Sequence, residues 1–322
     1  MIRFSVIIPL YNKAPYVAKT LQSVFDQTFA DWELIVVNDG STDNSLQVAA
    51  EIIDSVSERF PAGKVNLMSQ NNSGVSTARN NGVAASHGEY ICFLDADDWW
   101  ETTFLEEMDK LITDFPDAGI YGTGYYLVKN GTAKNAPIAF DDGFERGFVD
   151  YIQVYSRYLC MPLTSITIAI KRQIFDEMGG FNPKLSLGED FDLWLRIALK
   201  YKVSMVNKPL AYYNQDVNPA NRGVRKKYNS TDSFMTFSFG QFSEYEKTMP
   251  ALKLLLDKIR VATLLHFRRY NIFREETYRE IEKVDFANVG KKYRFYYFWP
   301  YPIVWCWFAI REFGSRLKKS IV

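Results

Sequence analysis

Histidine is nearly absent from this 322-residue chain, with only His87 and His266 present, which leaves almost no room for a metal centre built from several imidazoles. The three cysteines, Cys92, Cys160 and Cys306, lie far apart with no paired spacing. That argues against a disulfide framework or a thiolate zinc site and fits a reducing compartment. An excess of one charge is missing too, since 38 Lys and Arg balance 38 Asp and Glu. Without a global positive field the chain does not read as a nucleic-acid binder, and any phosphate it recognises must meet a local site. The first residues, Arg3-Phe-Ser-Val-Ile-Ile-Pro9, lack a basic stretch followed by a long apolar core and do not read as a signal peptide. Internal repeats and low-complexity segments are also absent.

What is present is the composition of a globular protein, 47% hydrophobic and 24% charged, long enough for one large domain and an appendage. Over the first hundred residues apolar, β-branched runs (4–9, 32–38, 64–69, 90–94) alternate with helical stripes (14–27, 43–59, 74–86). In the first helix Val17, Leu21, Val24 and Phe25 form the apolar stripe; in the second, Leu46, Ala50, Ile53 and Val56 are expected inward. This rhythm predicts an α/β fold with parallel strands and right-handed crossovers. Further on, a helix is expected over 103–114, a strand over 120–128, loop over 129–147 and a strand over 166–170. A helix follows to residue 178, then another over 191–201, a strand over 203–207, a polar basic connector over 218–229 and a long helix over 251–273.

In open α/β sheets ligands bind beyond the carboxyl ends of the strands, and polar residues gather there. Pro9-Leu-Tyr-Asn12 follows the first strand, Asn38-Asp-Gly-Ser-Thr-Asp43 ends the second, Asp95-Ala-Asp-Asp98 follows the fourth, and Gly188-Glu-Asp-Phe-Asp192 opens a later helix. Carboxylates converging at the mouth of a sheet need a counter-charge. A divalent cation bridging a diphosphate supplies one, and hard oxygen ligands suit Mg²⁺ or Mn²⁺.

Five strings in this order, Ser-Val-Ile-Ile-Pro-Leu-Tyr-Asn, Asn-Asp-Gly-Ser-Thr-Asp, Asn-Ser-Gly-Val-Ser-Thr-Ala-Arg-Asn, Phe-Leu-Asp-Ala-Asp-Asp and Gly-Glu-Asp-Phe-Asp-Leu-Trp-Leu, resemble the inverting glycosyltransferases of family 2. The resemblance covers residues 1 to about 215 and implies a GT-A catalytic domain there; the composition beyond it reads as a connector and helical region (216–290) and an aromatic, basic segment (291–322). The resemblance also implies a nucleotide-sugar donor, UDP-sugar by default, and a glycan or polyprenyl-linked acceptor. Carried over by position, Asp39 reads the uracil or ribose, while Pro9 and Tyr11 line the base pocket. Asn72 and Gly74 let the backbone approach the nucleotide, and Arg79 meets the diphosphate. Asp95-Ala96-Asp97 matches the D-x-D motif, with Asp97 on the metal and Asp95 and Ala96 on the donor. Asp98 and Glu189 support the site or the acceptor, and Asp190 is the general base for a single displacement that inverts the anomeric carbon.

Each residue has a plainer structural account. Asp39 fits a turn with Asp43 capping the next helix, Tyr11 fits strand-end packing, Arg79 a surface ion pair, and Glu189, Asp190 and Asp192 the acidic first turn of a helix. Trp99 and Trp100 read as packing. One departure from the family pattern is the segment Ala211-Tyr-Tyr-Asn-Gln-Asp216, which has no histidine where many relatives have one near the metal or diphosphate; Gln215 or Asp216 is the candidate substitute. The run Arg222-Gly-Val-Arg-Lys-Lys227 offers phosphate contacts or a solvated face.

Residues 295–310 are intensely aromatic but short, and Pro300 and Pro302 interrupt them, so they do not read as a membrane span. Trp and Tyr beside Lys and Arg suit a lipid headgroup interface, and peripheral contact through 295–319 on the inner face of the cell membrane is expected, in an otherwise cytoplasmic protein. The alternative is an aromatic tail folded on protein. Two rival functions are a nucleotidyltransferase of similar layout, which would favour a Gly-rich, Lys-containing loop after the first strand, and a non-catalytic sugar-nucleotide-binding scaffold.

Overall fold

The computed structural model describes residues 2–218 and 230–320, the side chains of 311–320 excepted; the basic run at 222–227 lies outside the described residues. The chain forms two compact units, residues 1–228 and 229–322.

The first unit begins with β1 (Phe4–Leu10), α1 (Val17–Phe25), β2 (Trp32–Asp39), α2 (Ser45–Ser55), β3 (Val65–Gln70), α3 (Val75–Ala84) and β4 (Tyr90–Phe93). Every residue of β2 is buried, as expected of a strand covered on both faces of a parallel sheet. These four strands pair in parallel in the order β3-β2-β1-β4, in agreement with the alternating pattern. Helix α1 buries Val17, Leu21, Val24 and Phe25. Of the residues expected inward on the second helix, Val56 is buried and Ala50 and Ile53 are half-buried, whereas Leu46 is exposed and Ser45 and Ala49 are buried instead at the start of α2. Ser45 faces inward because its hydroxyl accepts the backbone N–H of Lys13 at 2.7 Å, a polar anchor that an apolar stripe does not reveal. Helix α3 lies so close to β1 that a Cβ on Gly82 would collide with Ile7.

The second half turns the sheet mixed. It contributes β5 (Trp99–Trp100), α4 (Phe104–Asp114), β6 (Ala118–Lys129), β7 (Thr132–Asn135), β8 (Arg146–Val149), α5 (Tyr151–Tyr158), β9 (Ile168–Lys171), α6 (Arg172–Glu177), α7 (Glu189–Ala198) and β10 (Lys202–Asn214). The full order is β3-β2-β1-β4-β9-β6-β10-β5, with β7 on β6 and β8 on β10. The stretch 129–147, expected as loop, holds β7 and the start of β8; β7 is exposed throughout and therefore shows no apolar alternation. Strand β10 runs past residue 207 to Asn214. Its register shifts on either side of Pro209, which has no N–H for the ladder, and it pairs with β8 before that point and β5 after it.

The second unit contains α8 (Ser243–Thr248), α9 (Pro250–Tyr270), α10 (Arg274–Ile281), α11 (Lys292–Phe298) and α12 (Tyr301–Ser320). Arg260 on α9, almost fully buried, pairs with Glu246 and Glu280. Arg268 donates to the carbonyls of Tyr296 and Trp299 at 3.0 and 2.8 Å, so the aromatic segment packs on the long helix. Among the described residues no helix is long and apolar enough to cross a membrane.

Candidate active site

The loops leaving β1, β2 and β4 open at the carboxyl edge of adjacent strands, and side chains fasten them to one another. Asn12, in the left-handed region at φ 53°, accepts from the N–H of Thr42 at 2.8 Å through Oδ1 and donates its own N–H to Ser41 Oγ at 3.2 Å. Asp43 Oδ1 accepts the N–H of Ser45 at 2.9 Å, so it steadies the start of α2 as its position suggests. Pro9 is in register with Val37, and Tyr11, the next residue after β1, is 41% exposed.

Asp39 is buried, and its carboxylate organises the loop between β3 and α3. Oδ1 accepts from Gln70 Nε2 and the Ser73 N–H, each at 2.8 Å, and Oδ2 accepts from the Gly74 N–H at 2.9 Å. Asn72 donates from Nδ2 to the Asp39 carbonyl at 3.0 Å. A carboxylate offers about four acceptor positions, and protein donors fill three of them here. The loop fits because Gly40, at φ 67°, has no side chain: a Cβ there would lie 2.8 Å from the Asn72 nitrogen.

Beyond β4 three carboxylates crowd into four residues, with Ala96 buried between the first two. Asp98 points inward: Oδ1 accepts the Asn214 N–H at 2.7 Å and its carbonyl accepts from Thr20 Oγ1 at 2.7 Å, which ties the loop to β10 and α1. Its Oδ2 is buried without a hydrogen-bond partner. Burial first, then Asp97 and Asp95, hold its carboxyl well above the usual range. Asp97 is raised as well, by burial and by Asp95, against the pull of Lys13. Lys13 Nζ lies 2.5 Å from Asp97 Oδ2. The sequence reading passed over Lys13; its signal was a cation in the loop facing the acidic cluster.

Arg79 joins this cluster to the loop that opens α7. Nη2 donates to Asp95 Oδ1 at 2.7 Å and Nη1 to Glu189 Oε1 at 3.3 Å, while the guanidinium lies over the Phe181 ring at 5.0 Å. Burial works against the charge, but Asp95 and then Glu189 hold Arg79 above its ordinary pKa. Asp190, the next residue, is partly open to solvent. Desolvation and the charge of Glu189 push its carboxyl up to about 7, with Arg79 opposing them. Its Oδ1 accepts the Phe191 N–H at 2.7 Å, leaving Oδ2 available. The buried phenols of Tyr151 and Tyr155, which the sequence reading did not single out, are both raised by burial and then, among other charges, by Asp190.

The segment lacking a histidine does not bring Asp216 into this cluster. Its carboxylate accepts the N–H groups of Asn130 and Gly131 at 2.7 and 2.8 Å and secures the turn between β6 and β7. Trp100 donates from Nε1 to the Ile166 carbonyl at 2.7 Å and packs in the core, whereas Trp99 stacks on Tyr212 with Lys19 over its ring.

The family profile described as glycosyl transferase family 2 matches residues 5–179. An uncharacterized glycosyltransferase of Nostoc sp. is 31% identical over 66% of this chain, and the match spans 64% of that relative's length. The amylovoran biosynthesis glycosyltransferase AmsB of Erwinia amylovora is 30% identical over 66% of this chain and 70% of its own. Among solved structures, S. aureus TarS 1–349 with UDP-GlcNAc superposes at a TM-score of 0.60 with 17% identity, covering 92% of this chain and 90% of that one. A mannosyltransferase from Pyrobaculum calidifontis, in complex with GDP-Man and Mn²⁺, gives 0.54 with 17% identity over 98% and 80%.

Proposed function

The chain belongs to glycosyl transferase family 2 and is a glycosyltransferase of GT-A fold, and from that premise we propose that it moves a sugar from a UDP-sugar to a hydroxyl of a glycan or lipid-linked acceptor by single displacement with inversion. The observation that carries this reading is the bridge by Arg79, which reaches Glu189 across 110 positions of sequence while it holds Asp95 and so brings the start of α7, with Asp190, beside the D-x-D loop. TarS with UDP-GlcNAc supports the choice of donor, and the role of AmsB in amylovoran biosynthesis supports a polysaccharide context.

The nucleoside end of the donor would lie between the end of β1, at Pro9 and Tyr11, and the loop of Asn72 and Gly74 that Asp39 holds at the end of β2. Asp39 shapes this pocket for the base or ribose by holding the Ser73–Gly74 backbone. At the sugar end, the acceptor hydroxyl gives its proton to Asp190 Oδ2 as its oxygen attacks the anomeric carbon, and the nucleoside diphosphate departs from the opposite face. A carboxyl with a pKa of about 7 is well matched to take that proton near neutral pH. Glu189 and Arg79 hold the helix start that presents it.

The donor set partly fits a divalent cation. Asp95 and Asp97 offer hard oxygens, and their crowding with Asp98 leaves raised carboxyls and an orphaned buried oxygen. Among the described residues, though, no three His, Cys, Asp or Glu side chains are arranged to hold a metal, so Asp97, with Asp95 behind it, would hold Mn²⁺ or Mg²⁺ only together with donor phosphates. When bound, the ion neutralises charge on the leaving diphosphate. The test is a thermal-shift screen of nucleotide sugars with and without Mn²⁺, followed by assay of nucleoside diphosphate release with a hydroxyl acceptor. Pyrophosphate release would identify a nucleotidyltransferase instead, and stabilisation by donor with no turnover of any kind a binding scaffold.

A further inference from the structure

We propose that α12, together with the end of α11, docks along an anionic lipid surface, lying flat in the headgroup layer. The inference concerns the second unit alone and does not depend on the reaction.

The exposed side of α12 over residues 302–310 consists of Pro302, Ile303, Trp305, Cys306, Ala309 and Ile310. At about 100° per residue these six fall within one arc of roughly 160°, and none of them is polar or charged. The opposite side is already used: Val304 is fully buried, and Trp307 and Phe308 pack on Tyr296 at 5.0 and 5.4 Å. A surface helix usually turns a polar face to water; this one packs on one side and leaves an apolar face open on the other. Just before it, Phe298 and Trp299 at the end of α11 are 62% and 52% exposed. The sequence continues the period with Phe313 and Leu317.

Charge identifies the occupant. Residues 291–320 contain seven Lys and Arg and one acidic residue, Glu312, in a chain whose total charge is zero. The surplus basic groups lie at both ends of the apolar stretch, Lys291, Lys292 and Arg294 before it and Arg316, Lys318 and Lys319 after it. Indole rings flanked by ammonium and guanidinium groups match the layering of a headgroup region, with acyl carbons below and phosphates above. A second copy of the chain is a poorer match, because lysine is depleted from protein interfaces and four of the seven cations are lysines. Since no described helix can cross a bilayer, the helix would lie in the surface.

The experiment is flotation of the full chain with phosphatidylcholine vesicles, with and without about one third phosphatidylglycerol. The chain should float with the anionic vesicles, stay behind with the neutral ones, and be released in 1 M NaCl, where screening acts over about 3 Å. Brominated lipids should quench its tryptophan fluorescence. Trp305→Glu and Ile310→Glu, each at an exposed position, should each lower partitioning at least about tenfold while far-UV dichroism and melting temperature stay unchanged. Failure to float with anionic vesicles overturns the proposal. So does a concentration-dependent dimer that either variant dissociates, which would assign the face to a second copy.

Discussion

Lys13 holds its ammonium 2.5 Å from the Asp97 carboxylate, across 84 positions of sequence. Both side chains are largely shielded, at 15% and 16% exposed, so the contact is more than a surface ion pair of negligible worth. Lys13 supplies the positive charge that lets Asp97 ionise beside Asp95 and Asp98, in the place where a donor-bound cation would also act.

Replacing Lys13 with Met should therefore destabilise the protein by roughly 1–3 kcal/mol at neutral pH and by less at pH 4–5, where the carboxylates whose pKa values are raised take up protons. The variant should also gain more from Mn²⁺ than the natural chain, since the ion then supplies the missing charge. Melting curves with and without Mn²⁺ in the presence of UDP check this. An equal metal-induced shift in both proteins would remove Lys13 from the charge balance of the site.

Arg79 serves two carboxylates at once, and that geometry requires a planar fork. Arg79→Met should cost about 1–3 kcal/mol, because it leaves the partly shielded carboxylates of Asp95 and Glu189 without their shared cation. Arg79→Lys keeps the charge but cannot span Asp95 and Glu189 together, so it should fold and still lose most of its turnover. The Arg79 charge opposes the upward shift of Asp190, and a lysine that stays with Asp95 withdraws that charge from the start of α7, so the acidic limb of the activity profile should move to higher pH in Arg79→Lys. A limb that stays in place would separate Arg79 from the base.

These relationships explain how much of the site was legible in the sequence. The strand-end loops and their carboxylates stood out because each follows a run of buried apolar residues, and topology then brings β1, β2 and β4 side by side. The Arg79 bridge and the engagement of Asp39 by Ser73 and Gly74 were hidden, since a motif names a residue type and says nothing of the direction in which it donates or accepts. Leu46, expected inward, is exposed because the bonds of Ser45 to Lys13 and Asp43 outweigh the apolar period at the first turn of α2. Strand β7 escaped notice because an exposed strand carries no alternation, and the extension of β10 because Pro209 ordinarily marks a strand's end.

Gly40 gives a test of the Asp39 pocket that leaves its polar groups untouched. Alanine at this position meets both a left-handed backbone and the Asn72 nitrogen at 2.8 Å, so Gly40→Ala should cost at least about 1–2 kcal/mol. If the Asn72–Gly74 loop lines the nucleotide site, UDP affinity measured by calorimetry should also fall severalfold. Unaltered UDP binding in a destabilised variant would move the nucleotide elsewhere.

Asp190 makes the most direct claim on the chemistry. Its carboxyl titrates near 7 in the folded protein and near 3.9 in an unfolded chain, so the folded state holds the extra proton between those values. Stability from this group is present below about pH 4 and is lost as pH rises through 7. Transfer runs the opposite way, because only the ionised form accepts the acceptor's proton: activity should fall about tenfold per pH unit below about 7. Asp190→Asn should abolish transfer while donor-induced stabilisation persists, and it should remove this part of the decline in melting temperature between pH 5 and pH 8. Retained turnover in Asp190→Asn would exclude it as the base. Loss of turnover with an unchanged dependence of melting temperature on pH would leave the residue essential but assign the titration to another carboxylate, with Asp97 and Asp98 the next to test.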